Sequence, residues 1–158
     1  MKRSEPANLL TRRSVLAGLG AGFVLVSMPV RADDASVAEA IEAAFGDAPR
    51  TDGRIAMTLP PLAESGNTVP LTVSIESPMT EADSVKRVMI FANRNPRPLI
   101  ATMAFGPKAA KAEFSTNIRL SGTQDVIAIA EMTDGTIYQA QVRVMVTVGA
   151  CDTLKIRF

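Results

Sequence analysis

The hydrophobic pattern of the chain changes once, from a helical repeat to a strand repeat. Between residues 34 and 45 the apolar side chains Val37, Ile41 and Phe45 recur at every fourth position, and Gly46 follows directly. This spacing predicts a short amphipathic helix that ends at the glycine. Further along, β-rich segments of alternating character predict strands at residues 54–59, 68–77, 85–92, 99–105, 112–120, 125–132 and 136–148.

Turn-forming residues separate these strand segments. They lie at residues 65–67, 93–98 and 121–123, and Asp134-Gly135 before the last segment is the strongest hairpin signal in the chain. Seven short strands at this spacing predict an all-β fold, an immunoglobulin-like antiparallel β-sandwich with the short helix on its amino-terminal side. A chain of 158 residues suits one such domain.

The last predicted strand carries apolar residues on both faces. Its regular apolar face consists of Val142, Val144, Val146 and Val148. Met145 lies on the other face, and Ile127 and Ile129 are aligned in the same way on the preceding strand. These residues indicate either an outer surface that a partner buries or ordinary exposed side chains.

The first 32 residues have the layout of an export peptide. Arg12 and Arg13 precede an apolar stretch at residues 15–30, and Ala32 supplies a small residue for cleavage. The paired arginines resemble a twin-arginine signal, so we expect a periplasmic protein whose mature form has no membrane anchor. The alternative is a membrane anchor, but the stretch contains several glycines and is shorter than the roughly 20 apolar residues that span a bilayer.

Composition excludes several classes of function. Residues 1–32 hold five of the 17 cations and one of the 16 acids, so residues 33–158 carry 12 cations and 15 acids, a net charge of −3. This part lacks the basic surface that nucleic-acid binding requires. Histidine is absent and cysteine occurs once, which excludes Ser-His and Cys-His pairs, histidine-based zinc or copper sites and CxxC motifs. We therefore expect no catalytic residue, no metal and no cofactor.

The single cysteine, Cys151, directly follows the last predicted strand. Its thiolate is the one group in the chain that can hold a substrate reversibly through sulfur–sulfur chemistry. Gly149 and Ala150 add little bulk before it, which predicts a narrow carrier arm at residues 149–158 after a domain of residues 33–148. The alternative is a buried cysteine that only packs.

Six motifs along the chain point to one family. They are Ala44-Phe45-Gly46-Asp47, Gly53-Arg54-Ile55, Leu59-Pro60-Pro61-Leu62-Ala63-Glu64-Ser65-Gly66-Asn67-Thr68-Val69-Pro70, Glu76-Ser77-Pro78-Met79-Thr80, Asn95-Pro96-Arg97-Pro98 and Leu120-Ser121-Gly122-Thr123-Gln124. Together they resemble the SoxY family, the sulfur-carrier subunits of the periplasmic Sox thiosulfate-oxidation system. The resemblance extends through the body of the chain to Cys151.

The resemblance implies a covalent carrier that is not itself an enzyme. It implies a heterodimer with SoxZ, a second immunoglobulin-like subunit, and a cycle of reactions on Cys151. In the family, SoxAX joins thiosulfate oxidatively to the cysteine and SoxB releases the terminal sulfone as sulfate. SoxCD, where it is present, oxidises the remaining sulfane sulfur. Cys151 would thus hold thiosulfonate and persulfide intermediates and present them to these transient clients.

The predicted arm departs from the family pattern. SoxY chains typically finish Gly-Gly-Cys-Gly-Gly, whereas this chain reads Gly149-Ala150-Cys151-Asp152-Thr153 and continues. Lost glycines reduce backbone freedom, and Asp152 places a negative charge beside an anionic intermediate. Three interpretations stay open: a working carrier with altered clients, a divergent binding or regulatory subunit without sulfur transfer or with another sulfur species, and a terminus altered by a frameshift.

Overall fold

One helix and nine strands follow one another in the computed structural model, which describes residues 34–106 and 108–150. In chain order they are α1 (Asp34–Phe45), β1 (Arg50–Asp52), β2 (Ile55–Thr58), β3 (Leu62–Ser65), β4 (Val69–Ile75), β5 (Val85–Ala92), β6 (Leu99–Ala104), β7 (Ala112–Ile118), β8 (Gln124–Met132) and β9 (Ile137–Val148). The predicted helix is confirmed. Gly46 ends it in the left-handed conformation, with φ of 64°, and its N–H donates to the Glu42 carbonyl oxygen at 2.7 Å.

Two sheets form the body of the molecule. The larger has the strand order β1-β9-β8-β5-β6, with β3 also paired to β9, and the smaller has the order β2-β4-β7. Every pairing is antiparallel except those of β1 and β3 with β9, which are parallel. The predicted all-β sandwich with a short amino-terminal helix is therefore confirmed.

All seven predicted strands are present, as β2 and β4 to β9, and the described residues form two more. The additional strands are β1 and β3, and both run parallel to β9 instead of antiparallel. All three residues of β1 are exposed, and β3 buries one residue of four and directly follows two prolines. Neither strand has the apolar alternation that predicts a strand, because each is held by backbone pairing to the edge of β9.

Alternating side chains build the core between the two sheets. In β4 the inward residues Val69, Leu71, Val73 and Ile75 are at most 4% exposed, and the residues between them are not buried. They pack in one cluster with the inward residues of the larger sheet, including Val88, Val126 and Val144. Burial of this apolar surface holds the sheets together.

The outer face of the larger sheet is covered by α1. Val37 and Ile41 of the helix pack against Ile129, which is fully buried, and Ile127 lies partly buried in the same cluster. The chain's own helix thus covers the outward isoleucines of β8, Ile129 fully and Ile127 partly. Met145, further along β9, is 53% exposed.

The hairpin predicted at Asp134-Gly135 is confirmed. It joins β8 to β9, and the Met132 N–H donates to the Thr136 carbonyl oxygen at 2.9 Å. Gly135 has a φ of 87°, and the Asp134 carboxylate accepts a hydrogen bond from the Thr136 N–H at 2.8 Å. A glycine and an aspartate are favoured at these positions for those two reasons.

Two predicted segments fall outside the described residues. The export peptide at residues 1–32 is one, and the part of the carrier arm at residues 151–158 is the other. The assignment of these segments stays a prediction. Within the part of the chain that the structure describes, no helix is long and apolar enough to cross a membrane.

Candidate functional site

The predicted attachment residue, Cys151, lies outside the described residues, and the residues just before it form the start of the arm. β9 ends at Val148, Gly149 is buried and Ala150 is partly buried. The Ala150 N–H donates to the Leu120 carbonyl oxygen at 2.9 Å. The residue before the cysteine is therefore held against the sandwich. That Gly149 and Ala150 serve as a carrier arm stays a prediction.

Two further hydrogen bonds are made by the turn after β3, one to the last residue of β9 and one to the loop between β7 and β8. The Gly66 N–H donates to the Val148 carbonyl oxygen at 2.7 Å, and the Gly66 carbonyl oxygen accepts from the Leu120 N–H at 2.8 Å. With the bond from Ala150, they connect three separate segments of the chain. We call Gly66, Leu120, Val148 and Ala150 the arm clamp.

Close packing requires glycine at position 66. A Cβ atom there would lie 2.0 Å from the Leu120 carbonyl oxygen and 2.9 Å from the Ala150 nitrogen, and both are backbone atoms. Gly66 is not in the left-handed region, unlike Gly46 and Gly135, which have positive φ and open space around them. The glycine is therefore needed for the close approach of the arm and not for its own backbone conformation.

The Asn95 side chain fixes the loop that contains Leu120. Asn95 lies in the loop between β5 and β6, and its Nδ2 donates to the Arg119 carbonyl oxygen at 2.8 Å. Its Oδ1 accepts from the Ser121 N–H at 2.9 Å. The backbone groups on both sides of Leu120 are thus held, so the carbonyl that receives Ala150 has a fixed place.

Gln124 completes this network from inside the fold. It is 1% exposed, its Nε2 donates to Asn95 Oδ1 at 2.9 Å, and its Oε1 accepts from the Arg94 N–H at 2.8 Å. The neighbouring Thr123 hydroxyl accepts from the Val146 N–H at 3.0 Å. The loops at residues 93–98 and 119–123 are therefore joined to each other and to the end of β9.

Three arginines lie in these two loops beside the arm clamp. Arg94, Arg97 and Arg119 are exposed, and neither loop contains an acidic residue. The Arg94 guanidinium donates to the Thr123 carbonyl oxygen at 3.1 Å, and the ion pairs found among the described residues include none of the three. We call Arg94, Arg97 and Arg119 the arginine rim. Its positive charge favours anions close to the start of the arm.

Acidic groups with lowered pKa values lie elsewhere in the fold. The pKa of Glu131 is lowered first by a hydrogen bond from Lys86, at 2.7 Å, and also by one from Arg87. Arg87 donates in addition to the Ala44 carbonyl oxygen at 3.0 Å, which connects Glu131 to the last turn of α1. The pKa of Asp134 is lowered first by the hydrogen bond from the Thr136 backbone. Neither group contacts the arm clamp.

A large open cleft lies at the other end of the sandwich. Its volume is about 510 Å³, and it is lined by residues of the connections between β4 and β5, β6 and β7, and β8 and β9, among them Met79, Phe105 and Thr133. Since β9 is 12 residues long and begins at that end, roughly 36 Å separates its start from the arm clamp. The cleft is therefore separate from the candidate site. No group of acidic residues that could hold a metal ion occurs among the described residues.

The arm clamp and the arginine rim were missed by sequence reasoning. The turn at residues 65–67 and the turn at 121–123 were each identified, but only as breaks between strands. No sequence pattern shows that Gly66 and Leu120 meet at the end of β9, because that contact depends on the parallel pairing of β3. The available signal was the pair of arginines in Arg94-Asn95-Pro96-Arg97 without a nearby acid.

Comparison with known proteins identifies a family and a fold. The family model described as sulfur oxidation protein SoxY matches residues 41–151. The sulfur carrier protein SoxY from Chlorobium limicola f thiosulfatophilum is 29% identical in sequence, with a TM-score of 0.61 over 72% of this chain and 98% of that chain. A search of the curated proteins found no match.

Superoxide reductases have a similar fold. The superoxide reductase (neelaredoxin) from Ignicoccus hospitalis is 17% identical, with a TM-score of 0.53 over 60% of this chain and 80% of that chain. A putative superoxide reductase from Thermotoga maritima is 12% identical, with a TM-score of 0.54 over 66% and 96% of the two chains. At these identities the similarity shows the fold alone.

Proposed function

The chain belongs to the SoxY family, and we propose that it is a covalent sulfur carrier that holds sulfur-oxidation intermediates on Cys151. One observation carries this proposal. The family match ends at Cys151, and the arm clamp holds Ala150, the residue immediately before it. The cysteine therefore comes directly after a residue that is bonded to the sandwich and three residues after the last strand, a position from which a thiol can serve as an attachment point.

The chemistry of loading uses the thiolate as a nucleophile. A sulfur–sulfur bond forms between the Cys151 sulfur and the outer sulfur of thiosulfate, and two electrons leave one at a time to the oxidant, the heme protein of a SoxAX-type client. The product is a thiosulfonate on the cysteine. Hydrolysis by a SoxB-type client adds water, releases sulfate and two protons, and leaves a persulfide anion. The carrier itself supplies the attachment atom and no catalytic group.

The arginine rim supports an anionic cargo. Thiosulfate and the thiosulfonate are both negatively charged, and so is Asp152 next to the attachment site. Arg97 and Arg119, with no acidic partner among the described residues, lie at the end of the sandwich from which the arm leaves. Their positive charge attracts an anionic cargo and so counters the repulsion from Asp152, and exposed charges act over a Debye length of about 8 Å at physiological salt.

Partners and location are part of the same proposal. The chain forms a heterodimer with a SoxZ-type subunit, and SoxAX, SoxB and SoxCD are its transient clients. Its twin-arginine signal directs it to the periplasm, where an unpaired thiol is either protected, paired or used. Co-purification of a SoxZ subunit with the chain, and detection of the processed chain in a periplasmic fraction, test these two points.

Mass spectrometry tests the carrier function. The chain in complex with SoxZ is reduced, then incubated with thiosulfate and SoxAX. We expect the mass increase of one thiosulfonate, located at Cys151 by peptide mapping, and none for the Cys151→Ser variant. A SoxAX preparation that loads its usual carrier but leaves this chain unmodified would contradict the proposal.

A second function, a binding or regulatory subunit that has lost sulfur transfer, is favoured by the altered arm. Ala150 and Asp152 replace two glycines of the family pattern, and Asp152 places a negative charge beside the attachment residue. This function predicts that Cys151→Ser still binds SoxZ and supports growth on thiosulfate in a complementation assay. Loss of growth with that variant, while the heterodimer persists, would exclude it.

A further inference from the structure

We infer that Gly66 is a positioning residue, which keeps the arm clamp closed so that Cys151 is presented from a fixed point on the sandwich. The identity of the cargo rests on the proposed function, whereas the clamp is formed by the described residues alone. Gly66 is itself buried. It acts through the backbone of Leu120 and Ala150.

The clamp limits the space that the cysteine can occupy. With Ala150 held, the tether to Cys151 is one residue long, a single Cα–Cα step of about 3.8 Å. If the clamp opens, the nearest residue held by strand pairing is Val148, three residues before Cys151. Three residues then give a radius of about 10 Å. The accessible volume grows as the cube of the radius, or about 20-fold, and the local concentration of the thiol at any one position falls by the same factor.

Gly66→Ala opens the clamp, because its new methyl group cannot share the space of the Leu120 carbonyl oxygen. Gly122 gives a matched control in the neighbouring loop. A Cβ atom at Gly122 would meet nothing within 4 Å, and the residue does not have a left-handed φ. Gly122→Ala therefore makes the same chemical change near the same site and leaves the clamp intact.

A spin label provides a test that does not depend on sulfur transfer. Cys151 is the only cysteine, so a nitroxide reagent labels the full chain there without any other change. We expect restricted label motion in the parent chain and in Gly122→Ala, and fast motion in Gly66→Ala at a temperature where all three are folded. Equal label motion in folded Gly66→Ala and in the parent chain overturns the inference.

Kinetics separate positioning from intrinsic reactivity. The rate of SoxAX-dependent loading of the SoxZ complex should fall by about 20-fold in Gly66→Ala, in proportion to the volume ratio, and stay at the parent value in Gly122→Ala. Alkylation of Cys151 by iodoacetamide, which needs no docking, should not slow. A parallel loss of both rates, or a loss of neither, contradicts a positioning role.

A second variant covers the case in which Gly66→Ala does not fold. Ala150→Pro removes the N–H that donates to Leu120 and alters only a residue beyond the last strand. It should increase the label motion at Cys151, and unchanged motion overturns the inference. If the parent chain is not loaded by SoxAX, the carrier function fails while the label still decides on the clamp.

Discussion

Gln124→Ala tests whether the buried amide network holds the loops of the candidate site. The substitution removes two hydrogen bonds, to Asn95 and to the Arg94 N–H, at a position that is 1% exposed. Each bond contributes about 1 kcal/mol net, and the lost buried methylene contributes about 0.8 kcal/mol. We therefore expect the free energy of unfolding to fall by about 3 kcal/mol.

Urea unfolding followed by circular dichroism measures this change. Thermal unfolding gives a second measurement. For a domain of this size a loss of 1 kcal/mol lowers the melting temperature by about 4 °C, so we expect a fall of about 12 °C. Gln141→Ala is the matched control, because Gln141 is an exposed glutamine on the neighbouring strand β9. Its effect should stay within about 0.5 kcal/mol.

A double-mutant cycle identifies the bond itself. Asn95→Ala also removes the Gln124–Asn95 hydrogen bond, so the double variant loses that bond only once. The losses in free energy of unfolding of the two single variants, added together, should exceed the loss in the double variant by about 1 kcal/mol. Single effects that add to within about 0.5 kcal/mol would show that the two amides act independently, and the network argument would be refuted.

Three further predictions concern pH, the helix and the arginine rim. The hydrogen bond from Lys86 lowers the pKa of Glu131, so the ionised carboxylate stabilises the fold fully above its ordinary pKa of 4.5, and this stabilisation is lost as the pH falls through the lowered pKa. The melting temperature of Glu131→Gln should therefore fall less at acid pH than that of the parent. Phe91→Ala, at a fully buried position under α1, should cost about 3–5 kcal/mol in urea unfolding. Replacing Arg97 and Arg119 together with alanine should slow SoxAX-dependent loading about threefold at low salt and not at high salt, whereas replacing the two lysines between β6 and β7 should not.

The sequence predicts the parts of the fold that carry their own hydrophobic pattern. The helix bounds and the Asp134-Gly135 hairpin are confirmed because their signals are local: a fourth-residue repeat stopped by glycine, and a two-residue turn. β1 and β3 were not predicted because nothing in their own residues selects a strand. They depend on pairing with the edge of β9, whose partner residues are more than 80 positions away in the chain.

The same difference between local and long-range signals applies to the candidate site. Cys151 was predicted from one local fact, an unpaired thiol after a strand, and this attachment site stays a prediction. Gly66 and Leu120 could not be identified as a clamp, because three segments that are distant in sequence meet there. Ile127 and Ile129 were correctly predicted to lie on the outer face. A partner was one expected cover for that face, but the residues that pack on them belong to α1.

The arm clamp changes how each departure from the SoxY arm pattern bears on function. Ala150 stands where the family has glycine, yet its N–H is bonded to Leu120 and its φ is not positive. A residue that is held in an ordinary conformation needs no glycine, so this departure is compatible with carriage. Asp152 lies beyond the clamp, and its effect is electrostatic. In the proposed carrier the positive charge of the arginine rim would oppose that effect, so the proposal makes the end of the sandwich part of the carrier's working surface as well as the arm.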